Sequence, residues 1–251
     1  MTAGTVTTES ESPEEQQRFY DHKFSFASPI DLRKDGKTAL LVVDMQYHDA
    51  SPNRGWNLAV ERLQPGSLDY YNRRVEDQVI PTIRELLTYF RANRMPVVYV
   101  TLGSDDPQYR DMPRRSREML LRLEERSGVS GIFWSGDPAF AIRREIEPVP
   151  GETIVRKLTA GAFNSSDIEV QLHSLGIQEL VVTGVTTSCC VESTARDAVD
   201  RGFGCVLVDS GTAEYDAEAH DATLRTFHGN FGRVVASASD IIHAIESETA
   251  I

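Results

Sequence analysis

Six short apolar runs punctuate this chain, and the stretches between them carry their apolar residues at helical spacing. The first run, Thr38-Ala-Leu-Leu-Val-Val43, is continuous and stops at Asp44, the pattern of a strand buried on both faces. From about Tyr70 to Ala92, Val75, Val79, Ile83, Leu86, Leu87 and Phe90 recur at the period of an amphipathic helix, which leads into a second strand, Pro96–Val100. Residues 103 to 150 mix Gly, Pro and charge around one helical segment, Ser116–Glu125, and read as an insertion over one face. Strands at Thr153–Val155, Glu179–Thr183, Cys205–Val208 and Val234–Val235 then alternate with helices at Ser166–Leu175, Cys190–Arg201, Ala217–His228 and Ala238–Ile245.

Strands that alternate with helices pair in parallel, and right-handed crossovers place the helices on both faces. The expected fold is therefore an α/β/α three-layer sandwich, Rossmann-like, with a central and mainly parallel six-stranded sheet. Residues 1–36 are rich in Thr, Glu, Ser and Pro and read as a flexible or loosely docked arm, in which Phe19, Tyr20, Phe24 and Phe26 offer points of attachment. Residues 37–251 read as a single domain.

Composition narrows the function. With 40% hydrophobic and 25% charged residues, the chain has enough apolar material for a sizeable core. A formal net charge of −12 argues against a nucleic-acid partner, which needs clustered Lys and Arg to neutralise phosphates. The local basic run with Arg114, Arg115 and Arg117 fits a solvated helical face. No apolar run approaches the roughly 18 residues that span a bilayer, and residues 1–36 lack the apolar core of a signal peptide, so no membrane partner and a cytoplasmic location are expected. Three cysteines, Cys189, Cys190 and Cys205, make a poor disulfide framework and leave a thiol free for chemistry.

In parallel sheets, reactive groups gather at the carboxyl ends of strands. Asp44 ends the first strand, Lys157 lies two residues beyond the third, and Cys190 follows the fourth at the start of a helix. A thiol there feels the positive end of the helix dipole and any nearby ammonium, which favour thiolate. If Asp44 meets it across the crevice, the carboxylate can take the thiol proton and return it to a leaving amine. Each residue alone has a plainer reading: a core cysteine, a capping aspartate, a surface lysine.

The segments ALLVVDMQ (39–46), RKLTAGAFNSSD (156–167) and VTGVTTSCCVESTARDA (182–198) resemble the three signature segments of the isochorismatase-like cysteine hydrolases. The likeness runs from about Thr38 to Ile245, and its third segment is the most specific, with Gly184, Thr187, Cys190, Val191, Thr194 and Asp197 at family spacing. The resemblance implies an Asp44, Lys157 and Cys190 triad, a cis peptide between Val185 and Thr186, and an oxyanion hole from the backbone N–H groups of Thr186 and Cys190. It also implies substrate-binding roles for Phe163, Asn164 and His228, and a homodimer or homotetramer; Tyr47, Trp134 and Arg114 are further substrate-binding candidates from loops positioned to close over a substrate.

Metal-binding relatives carry an Asp-x-His pair and a further His. Here the corresponding region reads TLGSDDPQYRDMP and His48 lacks matching partners, so no metal and no cofactor are expected. Relatives that cleave a vinyl ether typically lack the cysteine. Its presence favours a C–N amidohydrolase acting on a small linear amide or ureide through a thioester, in the manner of the biuret, N-carbamoylsarcosine and ureidoacrylate hydrolases. Two alternatives stay open at this point: an enol-ether hydrolase, and a catalytically silent binding or assembly protein.

Overall fold

In the computed structural model, residues 28–251 are described. Most of the expected N-terminal arm, including its four aromatic residues, lies outside them. Its last residues pack against the domain: Ile30 and Leu32 are buried, and Ile30 exchanges two backbone hydrogen bonds with Ile251.

The elements follow the hydrophobic pattern closely. Strand β1 (Thr38–Val43) is followed by two helices that periodicity did not reveal, α1 (Tyr47–Ala50) and α2 (Gly55–Leu63). Helix α3 runs as Asp69–Arg74, a wide i→i+5 turn at Val75–Val79, and Ile80–Ala92. Next come β2 (Val97–Leu102), α4 (Arg114–Ser127), β3 (Thr153–Lys157), α5 (Ile168–Ser174) and β4 (Glu179–Val185). A second wide turn, Thr187–Val191, opens α6 (Glu192–Asp200); then follow β5 (Gly204–Ala213), α7 (Ala217–Asn230), β6 (Arg233–Val235) and α8 (Ala238–Ser247).

The six strands form one sheet in the order β3-β2-β1-β4-β5-β6, and every pairing is parallel. Side chains alternate across it. Leu41, Val43, Val98, Val100, Val182 and Leu207 face one side with residues of α4, α5, α6 and α7, while Leu40, Val42, Val97, Tyr99, Val181 and Val206 face the other with α3 and α8. This gives the three layers. β1 is buried along its whole length, as expected for a central strand covered on both faces, and each such Leu or Val contributes about 1.5–3 kcal/mol on burial.

The strand order reverses direction between β1 and β4, so the loops that leave their carboxyl ends diverge and open a crevice. Two backbone features shape it. Gly184 sits at φ +115° with the space for its missing Cβ only 2.0 Å from the Val43 carbonyl oxygen, so no larger residue fits between the two strands there. Asp44, the next residue after β1, adopts φ +51°, a left-handed conformation that a short polar side chain tolerates better than most.

Candidate active site

Asp44, Lys157 and Cys190 come together at this crevice. Lys157 is the last residue of β3 rather than two residues past it, because the strand continues in register with Thr101 and Leu102. Its Nζ lies 2.7 Å from Asp44 Oδ2, 3.2 Å from Cys190 Sγ and 3.0 Å from the Thr159 carbonyl oxygen. Both Asp44 and Lys157 are fully buried. Two opposite charges held out of water in this way hold each other in place, since removing either leaves the other uncompensated.

The environment sets their proton affinities. Burial raises the Asp44 carboxyl above its ordinary value of 3.8, against the lowering influence of Lys157 and of a hydrogen bond from Cys190. Lys157 is raised above 10.5, because Asp44 and Cys190 outweigh its own desolvation. The adjacent thiols hydrogen-bond to each other and compete for one negative charge. That bond, with help from Lys157, pushes Cys189 down to about 7 against burial. The same bond, then burial, raises Cys190 well above 9.0. Cys190 lies within the wide turn Thr187–Val191, at 8% exposure.

The cis peptide bond falls between Val185 and Thr186, where β4 passes into the turn that carries Cys190. The turn is anchored from outside the strands. Glu214 Oε2 accepts hydrogen bonds from the Ser188 backbone N–H at 2.7 Å and the Ser188 hydroxyl at 2.6 Å. Thr187 Oγ1 lies 2.8 Å from His220 Nδ1, whose Nε2 is 3.0 Å from Asp209 Oδ1, and Arg74 Nη2 reaches the same carboxylate at 2.5 Å. On the β1 side, Gln46 Oε1 accepts from the Leu102 N–H at 2.7 Å and its Nε2 donates to the Phe140 carbonyl at 2.8 Å.

Next to Cys190 opens a cavity of about 270 Å³. Trp56, Leu102, Met112, Met119, Leu120, Phe133 and Leu158 make most of its wall, Asp49, Ser116, Thr159, Thr186, Cys189 and Tyr215 its polar part. Trp56 and Phe133 stack with ring planes 9° apart. Sequence reasoning missed Asp49, Trp56, Glu214, Tyr215 and His220. Glu214 and Tyr215 follow the carboxyl end of β5, the very position that marked Asp44 and Lys157, but β5 was expected to stop at Val208, before the polar residues Asp209 to Thr212.

The structure places the four expected substrate-binding residues away from this cavity. Phe163 packs under Arg201, 4.9 Å from its guanidinium carbon, and against Phe203. Asn164 is exposed and donates to Asp197 at 2.8 Å. His228 Nδ1 accepts the Val234 N–H at 3.0 Å, a structural use of the ring at the α7–β6 corner. Tyr47 lies between the guanidinium groups of Arg54 and Arg143. None of the four is on the cavity wall. Trp134 is half-buried beyond it, and Arg114 is exposed and paired with Glu118 on the outer face of α4.

His48 is buried, with Nε2 3.1 Å from the Leu102 carbonyl and Nδ1 3.2 Å from Asp49 Oδ2. Among the described residues, no helix is long and apolar enough to cross a membrane.

The isochorismatase domain family matches residues 38–239. Ureidoacrylate amidohydrolase RutB of Stutzerimonas stutzeri is 32% identical over 209 residues, covering 78% of this chain and 79% of that protein. Two crystal structures share the fold. A cysteine hydrolase from Pseudomonas syringae pv. phaseolicola superposes with a TM-score of 0.69 at 21% identity, covering 89% of this chain and 100% of the other. N-carbamoylsarcosine amidase from Thermoplasma acidophilum gives 0.57 at 22% identity, covering 80% and 96%.

Proposed function

The chain belongs to the isochorismatase family, and from that premise we propose that it is a cysteine amidohydrolase that cleaves a C–N bond of a small linear amide or ureide. One observation carries this reading: Lys157 Nζ bridges Asp44 at 2.7 Å and Cys190 at 3.2 Å, and Cys190 lines a cavity large enough for a small molecule. A buried thiol with a carboxylate base in reach is the arrangement of an activated nucleophile. The relative named ureidoacrylate amidohydrolase supports the choice of C–N chemistry.

In the proposed cycle, Asp44 takes the Cys190 proton as Sγ attacks the amide carbonyl. The raised proton affinity of the buried Asp44 suits it to accept, then to give that proton to the departing nitrogen. Lys157 keeps the net charge of the group balanced as the proton moves between oxygen and sulfur. The backbone N–H groups of Thr186 and Cys190 are assigned to the oxyanion, supported by their position on the anchored turn around the sulfur. Water, deprotonated by Asp44, then hydrolyses the thioester and restores the thiol.

The domain assignment of residues 37–251, a cytoplasmic location and a homodimer or homotetramer belong to the same reading; light scattering on the purified chain checks the last. The test of the chemistry is ammonia release from a panel of amides and ureides by the wild type and Cys190→Ser, with intact-mass detection of an acyl adduct. Cys190-dependent release with an adduct on Cys190 is the expected result. Equal release by Cys190→Ser overturns the assignment.

A further inference from the structure

We propose that Asp49 is a specificity-determining residue that selects ureides over simple amides, by accepting a hydrogen bond from the N–H that a ureide carries on the far side of its carbonyl from the leaving nitrogen; this rests on the Cys190 amidohydrolase reading. Asp49 lines the same cavity as Cys190. Only 9% of the residue is exposed, and among the described residues its hydrogen bonds run through the backbone, so neither carboxylate oxygen accepts one. A carboxylate has about four lone-pair sites, and buried acceptors are ordinarily satisfied. An acceptor left open in a mostly apolar wall points to a donor that arrives with the ligand.

The carboxylate is positioned without being used up. Helix α1 starts three residues after Asp44, and its backbone is tied to α2 and α3 through the Asp49 carbonyl oxygen, which accepts from Asn57 Nδ2 and the Tyr71 hydroxyl, both at 2.8 Å. The side chain has a partner of its own. His48 Nδ1 lies 3.2 Å from Oδ2, a charge contact rather than an aligned hydrogen bond. The His48 ring is fixed in turn, with Nε2 3.1 Å from the Leu102 carbonyl and the Phe133 ring at 4.7 Å. His48 is fully buried and not on the cavity wall, so with a proton on its imidazole it balances Asp49 from the side away from the ligand.

A ureide has a nitrogen on each side of the carbonyl that Cys190 attacks, and the site has a carboxylate for each. The Sγ–C bond forms as one C–N bond breaks, and ammonia leaves with the proton from Asp44. The retained N–H keeps its bond to Asp49 until water cleaves the S–C bond, giving an N-substituted carbamate and the free thiol. The two carboxylates are near neighbours. Asp49 adds to the rise in proton affinity that burial causes at Asp44, and, with Glu214 and Cys190, to the rise that burial causes at the wall residue Tyr215. A simple amide sets carbon where the second nitrogen would be, which takes water from the Asp49 carboxylate and returns no hydrogen bond.

The experiment compares an uncharged isosteric pair, n-butylurea and hexanamide, which differ by an N–H in place of a CH2. A urea carbonyl is intrinsically the less reactive, so the quantity read is the change that a substitution makes in each kcat/KM for ammonia release. Asp49→Leu is expected to lower kcat/KM for n-butylurea by about 30-fold and to change that for hexanamide by less than about 3-fold. Asp49→Asn, which keeps the size and an acceptor oxygen, gives a smaller loss on n-butylurea alone. Calorimetry on Cys190→Ser, where Asp49 is intact, reads the same preference without relying on the folding of either variant: n-butylurea is expected to bind about 10-fold more tightly than hexanamide. Equal losses on both compounds, or equal binding of the two, with release that still depends on Cys190, overturn the role of Asp49 and leave the amidohydrolase reading intact. Absence of Cys190-dependent release from both compounds and from the wider panel of amides and ureides overturns both.

Discussion

Replacing Lys157 by methionine keeps the length of the side chain and removes its charge from a site with no access to water. The ion pair it breaks has its charges 2.7 Å apart, a gross attraction of about 6 kcal/mol at an effective dielectric constant of about 20. What the variant loses is set by the orphaned Asp44, and breaking a buried pair by one partner costs about 3–5 kcal/mol. Urea unfolding at pH 8 measures it. Asp44 is raised by burial even in the presence of Lys157, and without the lysine it rises further. A carboxyl whose folded-state proton affinity exceeds that of the unfolded chain destabilises at high pH and is relieved as the pH falls and it takes a proton. The deficit of Lys157→Met therefore shrinks between pH 8 and pH 5. Asp44→Asn combined with Lys157→Met removes both charges and recovers most of the loss, a coupling read from the double-mutant cycle. Ammonia release by the double variant stays at least about 1,000-fold below wild type, because stability is restored without the proposed base. A loss under about 1 kcal/mol for the single variant, unchanged between the two pH values, refutes a charged pair at this position.

Three further outcomes follow from groups around the site and the sheet. Glu179 at the start of β4 has a buried, unpaired Oε2, and burial followed by the nearby Asp31 raises it from 4.5 to about 7. Its folded form thus costs stability as the pH rises from about 4.5 to 7, and Glu179→Gln is expected to raise stability at pH 8 by about 1–2 kcal/mol after allowance for partial exposure, with no gain at pH 4.5; an equal gain at both excludes ionisation as the cause. Cys189, exposed and lowered to about 7, should react with iodoacetamide with a half-maximal rate near that pH, while buried Cys205 stays unmodified; a midpoint at 9 or above contradicts the shared hydrogen bond of the two thiols. Glu214→Gln weakens the two anchors on Ser188 and is expected to lower kcat by about 10-fold with little change in KM, and a change in KM alone places Glu214 outside the positioning of the turn.

The sheet was legible because its strands are buried on both faces and hence written as unbroken apolar runs; β1 begins and ends where its run does. Helices α1 and α2 were not, since α1 is a single turn and α2 is held by contacts such as the close approach of Gly55 to His48 rather than by its own periodicity. β5 was read too short because its second half, Asp209 to Thr212, is polar: a register shift against β4 lets the strand continue while Arg74 binds the Asp209 and Thr212 carbonyls. Asp44, Lys157 and Cys190 were findable from the rule that reactive groups end strands. The cavity wall was not, because Trp56, Met119 and Phe133 meet through packing between segments that share no local pattern, and Phe163, Asn164, His228 and Tyr47 each found a nearer partner than the cavity.

The division of labour between strand ends and cavity wall bears on how such an enzyme changes over time. Asp44, Lys157 and Cys190 sit at the carboxyl ends of the sheet's strands, whereas α2, α4 and the loop around Phe133 contribute Trp56, Met119 and Phe133 to the cavity wall. On the proposed function, substitutions in those wall segments can retune which substrate is accepted while Asp44, Lys157 and Cys190 are inherited untouched. A gene duplicate therefore starts with its chemistry intact and needs only a few surface-near replacements to acquire a new diet.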